Sequence, residues 1–389
     1  MRRLLPLLLL AALPHRATGQ TNPAVMPKGP LSDQNATRAA EFHYVPTERA
    51  LAWLGGDTLL VTHLDMYGGA SIVYTNCDGS GFFKVPVGGG SPVRVGPSYC
   101  GLDRNIFVTP DGSSALFFGD PTFVRLGPSS VRADSPLLRM SLATQAIDTL
   151  RTGCGLGYKE IAVSSAGQLT WTGRCWSTEE LTRDASCVNG DARARTPCSP
   201  EDRKAIYTSP LRGGESIRQG NPVEADVHEP SWSPDGRSIA FSAGANNNPG
   251  RWELTAVEPG TLMIVGPSGV RSLESKGESA SWSPDGAWIA FFGEDDEDLS
   301  PRGGGPSVYV IRPDGTGRRR VFMNDLRMNY PDWFWGGMTM VESQGKIFGP
   351  LVWSPDAKWL AFARQAEDGA SIWRVEVETG RVERLTVPE

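Results

Sequence analysis

Few residues of this 389-residue chain are of types that do chemistry, and their spacing argues against most kinds of catalysis. The four histidines, His15, His43, His63 and His228, are scattered, and no H-E-x-x-H places two imidazoles on one helix face for zinc. A serine hydrolase needs a G-x-S-x-G elbow; Gly96-Pro-Ser-Tyr-Cys100 comes close and fails at its last position. Gly153-Cys-Gly-Leu-Gly157 precedes no helical pattern, so its glycines read as turn residues and not as a dinucleotide loop. The acidic run Glu294–Asp298 lacks the spaced ligands and the glycine of a calcium loop, and reads as a solvated loop. The six cysteines, Cys77, Cys100, Cys154, Cys175, Cys187 and Cys198, form no C-x-x-C; an even number in an exported chain suggests disulfides. Pairing of neighbours is expected (Cys77–Cys100, Cys154–Cys175, Cys187–Cys198), although spacing does not choose among the alternatives. No catalytic residue, cofactor or metal is assigned.

The start of the chain reads as an address. Met1-Arg2-Arg3 is cationic, Leu4 to Leu13 is apolar, and Ala17-Thr18-Gly19 offers small residues for cleavage before Gln20. This is the layout of a signal peptide over residues 1–19, too short to span a bilayer. The expected location is therefore the periplasm or the medium, with no integral membrane segment after cleavage. Losing Arg2, Arg3 and Arg16 moves the formal charge from -6 to -9, so a broad nucleic-acid-binding face is not expected. The run Arg318-Arg319-Arg320 reads as a solvated strand edge, and Asn35-Ala-Thr37 is a glycosylation sequon only in a eukaryote.

These residues must be held by a repeat. Pro230-Ser-Trp-Ser-Pro-Asp-Gly-Arg-Ser-Ile-Ala-Phe241 returns as Ala280-Ser-Trp-Ser-Pro-Asp-Gly-Ala-Trp-Ile-Ala-Phe291 and as Leu351-Val-Trp-Ser-Pro-Asp-Ala-Lys-Trp-Leu-Ala-Phe362. Weaker copies are Ile106–Phe117, Leu51–Val61 and Ile161–Trp171. In each, a short strand enters a tight turn in which Pro fixes φ, Asp bonds the backbone two residues on, and Gly takes a positive φ. An apolar strand follows, so each copy is a β-hairpin. A second strand pair follows each hairpin, for example Phe82–Val95 around Gly88-Gly89-Gly90 and Val308–Phe322 around Asp314-Gly315. Four antiparallel strands repeated six times predict an all-β, six-bladed propeller. Trp53, Val108, Val163, Trp232, Trp282 and Trp353 are equivalent, at spacings of 55, 55, 69, 50 and 71 residues. The long units carry insertions at 178–203 and near 328–345, and residues 20–48 form an N-terminal arm or strap ahead of a propeller over 49–389.

The Trp-Ser-Pro-Asp-Gly repeat resembles that of the TolB-like six-bladed propellers, and it also occurs in the propeller of prolyl-oligopeptidase-type enzymes. The resemblance implies an extracytoplasmic binding platform, as in TolB, which docks a lipoprotein and other partners. It supplies no catalytic motif, and residues 20–48 are too few for the α/β domain that precedes the TolB propeller. The sixth repeat also runs to the last residues, so no hydrolase domain is expected.

The first strand of each blade lines the propeller's channel, so its mouth gathers one equivalent residue per blade. Four positions before each reference residue stand Arg49, Arg104, Lys159, His228, Glu278 and Gly349, five of them ionisable. This predicts a polar mouth for a small anionic or peptide ligand, with Glu278 as counter-charge. A second candidate surface is the aromatic cluster Tyr330, Trp333, Phe334 and Trp335, of the kind that anchors protein partners. The sequence reading is thus a monomeric protein- or ligand-binding scaffold of the cell envelope, with a propeller lyase or hydrolase acting on a carbohydrate or peptide at the channel mouth as the alternative.

Overall fold

The structure, a computed structural model, describes residues 23–26, 43–44, 47–68, 73–98, 106–118, 122–125, 131–134, 136–151, 160–173, 205–212, 217–219, 226–244, 260–293, 306–324, 347–366 and 369–388. Six antiparallel blades follow one another along the chain. Blade 1 comprises Thr47–Trp53, Thr58–Gly68, Val73–Pro86 and Val93–Ser98; blade 2 comprises Phe107–Val108, Ser114–Phe118, Leu137–Ser141 and Ile147–Arg151. Blade 3 is Ile161–Val163, Gln168–Gly173, Ala205–Pro210 and Ile217–Arg218; blade 4 is Asp226–Trp232, Ile239–Gly244, Thr261–Gly266 and Gly269–Lys276. Blade 5 is Glu278–Trp282, Ile289–Gly293, Ser307–Ile311 and Arg319–Phe322; blade 6 is Ile347–Trp353, Trp359–Ala366, Gly369–Glu376 and Val382–Arg384. The first strands of successive blades touch in a closed ring, blade 6 against blade 1. This is the predicted six-bladed propeller, and no described helix is long and apolar enough to cross a membrane.

The repeat motif builds its turns through side chains. Ser233 Oγ donates to Asp235 Oδ1 at 2.5 Å and accepts the Ser238 N–H at 2.9 Å, while Asp235 Oδ1 accepts the Arg237 N–H at 3.1 Å. Gly236 takes the left-handed conformation (φ 68°) and donates to Ser233 O. The same bonds recur at Ser283/Asp285 and Ser354/Asp356. They hold Asp235 and Asp356 below the usual carboxylate range, with the Ser hydroxyl as the largest cause. Each turn returns the chain into a second strand such as Ile289–Gly293, buried on both faces.

Burial places one apolar cluster at each of the six blade junctions. The repeat tryptophans serve these junctions: Trp353 Nε1 donates to Ser281 O of blade 5 at 3.0 Å, and Trp53 Nε1 donates to Val352 O of blade 6 at 3.1 Å. Closure is made partly by the segment ahead of the propeller. Ala24–Met26 pairs in parallel with Thr386–Pro388, burying Ala24 and Met26 at the junction of blades 1 and 6. His43–Tyr44 pairs with Tyr67 and Gly68, on the edge of the same strand that Thr47–Trp53 lines. The last blade therefore needs no strand from there, since Val382–Arg384 already completes it. A hairpin of Thr122–Arg125 and Val131–Asp134 inside blade 2 was not expected from the sequence.

Candidate binding site at the channel mouth

The first strands of blades 4, 5 and 6 share an irregularity at their upstream ends. Pairing skips between His228 and Ser231, between Glu278 and Ser281, and between Phe348 and Val352. Within these bulges Glu229 (φ 52°), Ser279 (φ 58°) and Gly349 (φ 79°) adopt left-handed backbone, which re-aims the side chains there. The result is a chain of polar groups crossing three blades. Glu160, at the head of blade 3, accepts the Thr172 hydroxyl at 2.9 Å and the Glu229 N–H of blade 4 at 2.9 Å. Its other oxygen lies 3.6 Å from His228 Nδ1. Glu229 in turn accepts the N–H of Ser279 in blade 5, next to Glu278. His228 Nε2 is buried and has no hydrogen-bond partner among the described residues.

The three carboxylates divide in character. Burial pushes the Glu229 carboxyl up to about 7, helped by the charges of Glu278 and Glu160 and opposed by the Ser279 N–H and hydroxyl. Burial acts the same way on Glu160, but His228, the Glu229 N–H and the Thr172 hydroxyl outweigh it and bring that carboxyl below its usual value. An ionised acid thus sits beside one that gains or loses its proton near neutrality, with an imidazole in reach. Among the described residues no group of three or more His, Cys, Asp or Glu side chains is arranged to hold a metal ion.

The sequence singled out two members of this cluster, His228 and Glu278. Arg49 belongs to the same rim but packs over blade 6: a Cβ at Gly349 would sit 3.6 Å from its Cγ. Arg104 and Lys159 lie outside the described residues, as do Tyr330, Trp333, Phe334, Trp335 and Cys100, Cys154, Cys175, Cys187 and Cys198. Cys77 lies on the third strand of blade 1, its side chain outside what the structure describes. Glu160 and Glu229 were missed. Both stand three positions before their reference residues, one step from the frame in which the ionisable residues were aligned.

Fold and repeat together define a six-bladed β-propeller. No family model matches the chain, and no curated protein does. Among solved structures it is similar to one described as TolB from Agrobacterium tumefaciens, at 18% identity over 72% of this chain and 79% of that one, with a TM-score of 0.43. It is also similar to TolB from Acinetobacter baumannii (15% identity, 95% and 75% covered, TM-score 0.40). An oligogalacturonate lyase in complex with manganese is similar as well (11% identity, 86% and 91% covered, TM-score 0.45). At these identities the likeness is one of fold.

Proposed function

We propose that this chain is an exported binding module of the cell envelope, periplasmic or secreted, whose channel mouth takes a positively charged group of a protein or peptide partner. The observation that carries the reading is the convergence of Glu160, Glu229 and Glu278 from three successive blades beside His228. Burial first, and then the charges of Glu278 and Glu160, raise the Glu229 carboxyl, and a guanidinium or ammonium placed there offsets both, so a cationic group gains more than an anionic one. The leader-like residues 1–19 support export. The test is capture of partners by residues 20–389 from an envelope extract of the source organism, read by mass spectrometry and repeated with Glu160→Gln/Glu278→Gln. A partner held by the native chain and lost by the variant supports the reading. A partner that survives the double change but is lost on Trp333→Ala or Trp335→Ala moves the contact to the aromatic insertion.

One observation favours an enzyme as the second reading: neighbouring carboxyls with pKa values driven apart are the pattern of an acid–base pair. The two readings separate on turnover. An enzyme loses kcat in Glu229→Gln while still binding its substrate, whereas a binding module has no kcat to lose.

A further inference from the structure

At the end of the propeller opposite that mouth, where the first-to-second-strand turns lie, blades 1 and 2 part around an open cleft of about 980 Å³. That volume is within the range of small-molecule sites. Trp53, Leu54 and Leu142 give it an apolar wall, and four charged residues line it: Lys84, Asp111, Arg139 and Asp148.

The two carboxylates in this cleft already hold hydrogen bonds. Asp111 accepts the Thr109 hydroxyl at 2.6 Å, the Ser113 N–H at 3.0 Å and the Ser113 hydroxyl at 2.9 Å. Those bonds, the Thr109 hydroxyl first, hold its carboxyl below the usual range. Asp148 is gripped by Arg139 through Nε at 2.9 Å and Nη2 at 2.7 Å, which lowers it as well. The donors are not used up. Lys84, half-buried on the third strand of blade 1, has no hydrogen-bond or ion-pair partner among the described residues. Arg139, on the third strand of blade 2, keeps Nη1 unbonded among them. A half-buried lysine without a partner among the described residues and a spare guanidinium N–H thus line one space across a blade junction, beside an apolar wall.

We propose that this cleft binds a small organic anion, an oxyanion carried on an apolar body, with Lys84 and Arg139 Nη1 holding the oxyanion and Trp53, Leu54 and Leu142 receiving the body. The four charges cancel in total, so attraction at long range is weak and selection rests on the short-range donors. The site is independent of the channel mouth and stands or falls apart from it.

The probe is 1-anilinonaphthalene-8-sulfonate, an aromatic body with one sulfonate, titrated by fluorescence into the full chain in low salt. Lys84→Gln removes the free cation, and Ala146→Glu adds a carboxylate on an exposed turn at the cleft's edge without touching the core. Far-UV circular dichroism checks that both variants fold. The expected result is one saturable site, weakened about 10-fold or more in each variant, as loss of a charge-assisted hydrogen bond predicts. Glu160→Gln leaves the affinity unchanged. Absence of saturable binding, or unchanged affinity in either cleft variant, overturns the proposal.

Discussion

Among the described residues, Glu229 is a side chain through which solution pH reaches the fold. Its carboxyl, raised to about 7, is protonated in the native chain over a range where an unfolded glutamate is ionised. Below pH about 4.5 both states hold the proton and pH has no leverage here. Between about 4.5 and 7 the native state alone holds it, so stability falls as pH rises, and the deficit is then constant above 7. Glu160 acts with the opposite sign in a lower window: its lowered carboxyl contributes stability that is lost only as pH falls below the usual glutamate range. Glu229→Gln should therefore flatten the pH dependence of the melting temperature between 4.5 and 7 and raise stability at pH 8 by about 1–3 kcal/mol. A variant whose melting profile keeps the native slope contradicts this assignment. The sequence made only half of this cluster legible. His228 and Glu278 stood out because a repeat can be aligned by counting back from its reference residues. Glu229 escaped because a bulge puts two residues against one, and a count of positions carries no sign of which of them turns inward, while Glu160 stands just ahead of the first strand of blade 3, one position off the counted frame.

The element that fixes the fold is the turn after each first strand, and it was the most legible feature of all. A Ser-Pro-Asp-Gly sequence encodes its own hydrogen bonds, since the Ser and Asp side chains bond backbone groups within five residues of themselves. The hairpin Thr122–Arg125/Val131–Asp134 carries no such signature, which is why it could not be read. Blade 6 tests the turn's logic, because Ala357 stands where its counterparts have Gly and is held at φ 57°. An L-residue with a Cβ is disfavoured there, so Ala357→Gly should stabilise the chain by about 1 kcal/mol despite glycine's greater freedom when unfolded. Gly286→Ala is the converse. A Cβ there meets Pro234 at 3.8 Å, an ordinary contact, so its cost of about 1 kcal/mol comes from the backbone alone. Chemical denaturation of the two variants should move the midpoint in opposite directions.

At the scale of the molecule the decisive feature is that the ring has a seam. Five junctions join blades that are consecutive in the chain, but blade 6 meets blade 1 with no covalent link between them. There a buried chain of hydrogen bonds runs across the gap: the Ile372 N–H donates to Thr386 Oγ1 at 2.8 Å, and the Thr386 hydroxyl donates to Glu48 of blade 1. Glu48 and His63 are both 0% exposed, with 3.5 Å between Oε1 and Nδ1, so water cannot replace a bond lost there. Thr386 also opens the short strand that Ala24–Met26 clasps in parallel. Thr386→Val keeps the volume and removes the hydroxyl, leaving a buried N–H without its acceptor and a buried carboxyl without its donor. The expected cost is about 2–4 kcal/mol. Its location matters more than its size. An opened ring has two terminal blades, each with one neighbour in place of two, so local opening should begin at the seam. Hydrogen exchange should therefore accelerate in the strands of blades 1 and 6 well before it does in blades 3 and 4, while Val25→Ala, at the exposed position of the strap, should change neither midpoint nor exchange. Uniform acceleration around all six blades would mean that the propeller opens as a single unit and that the Thr386 bonds do not govern where it begins.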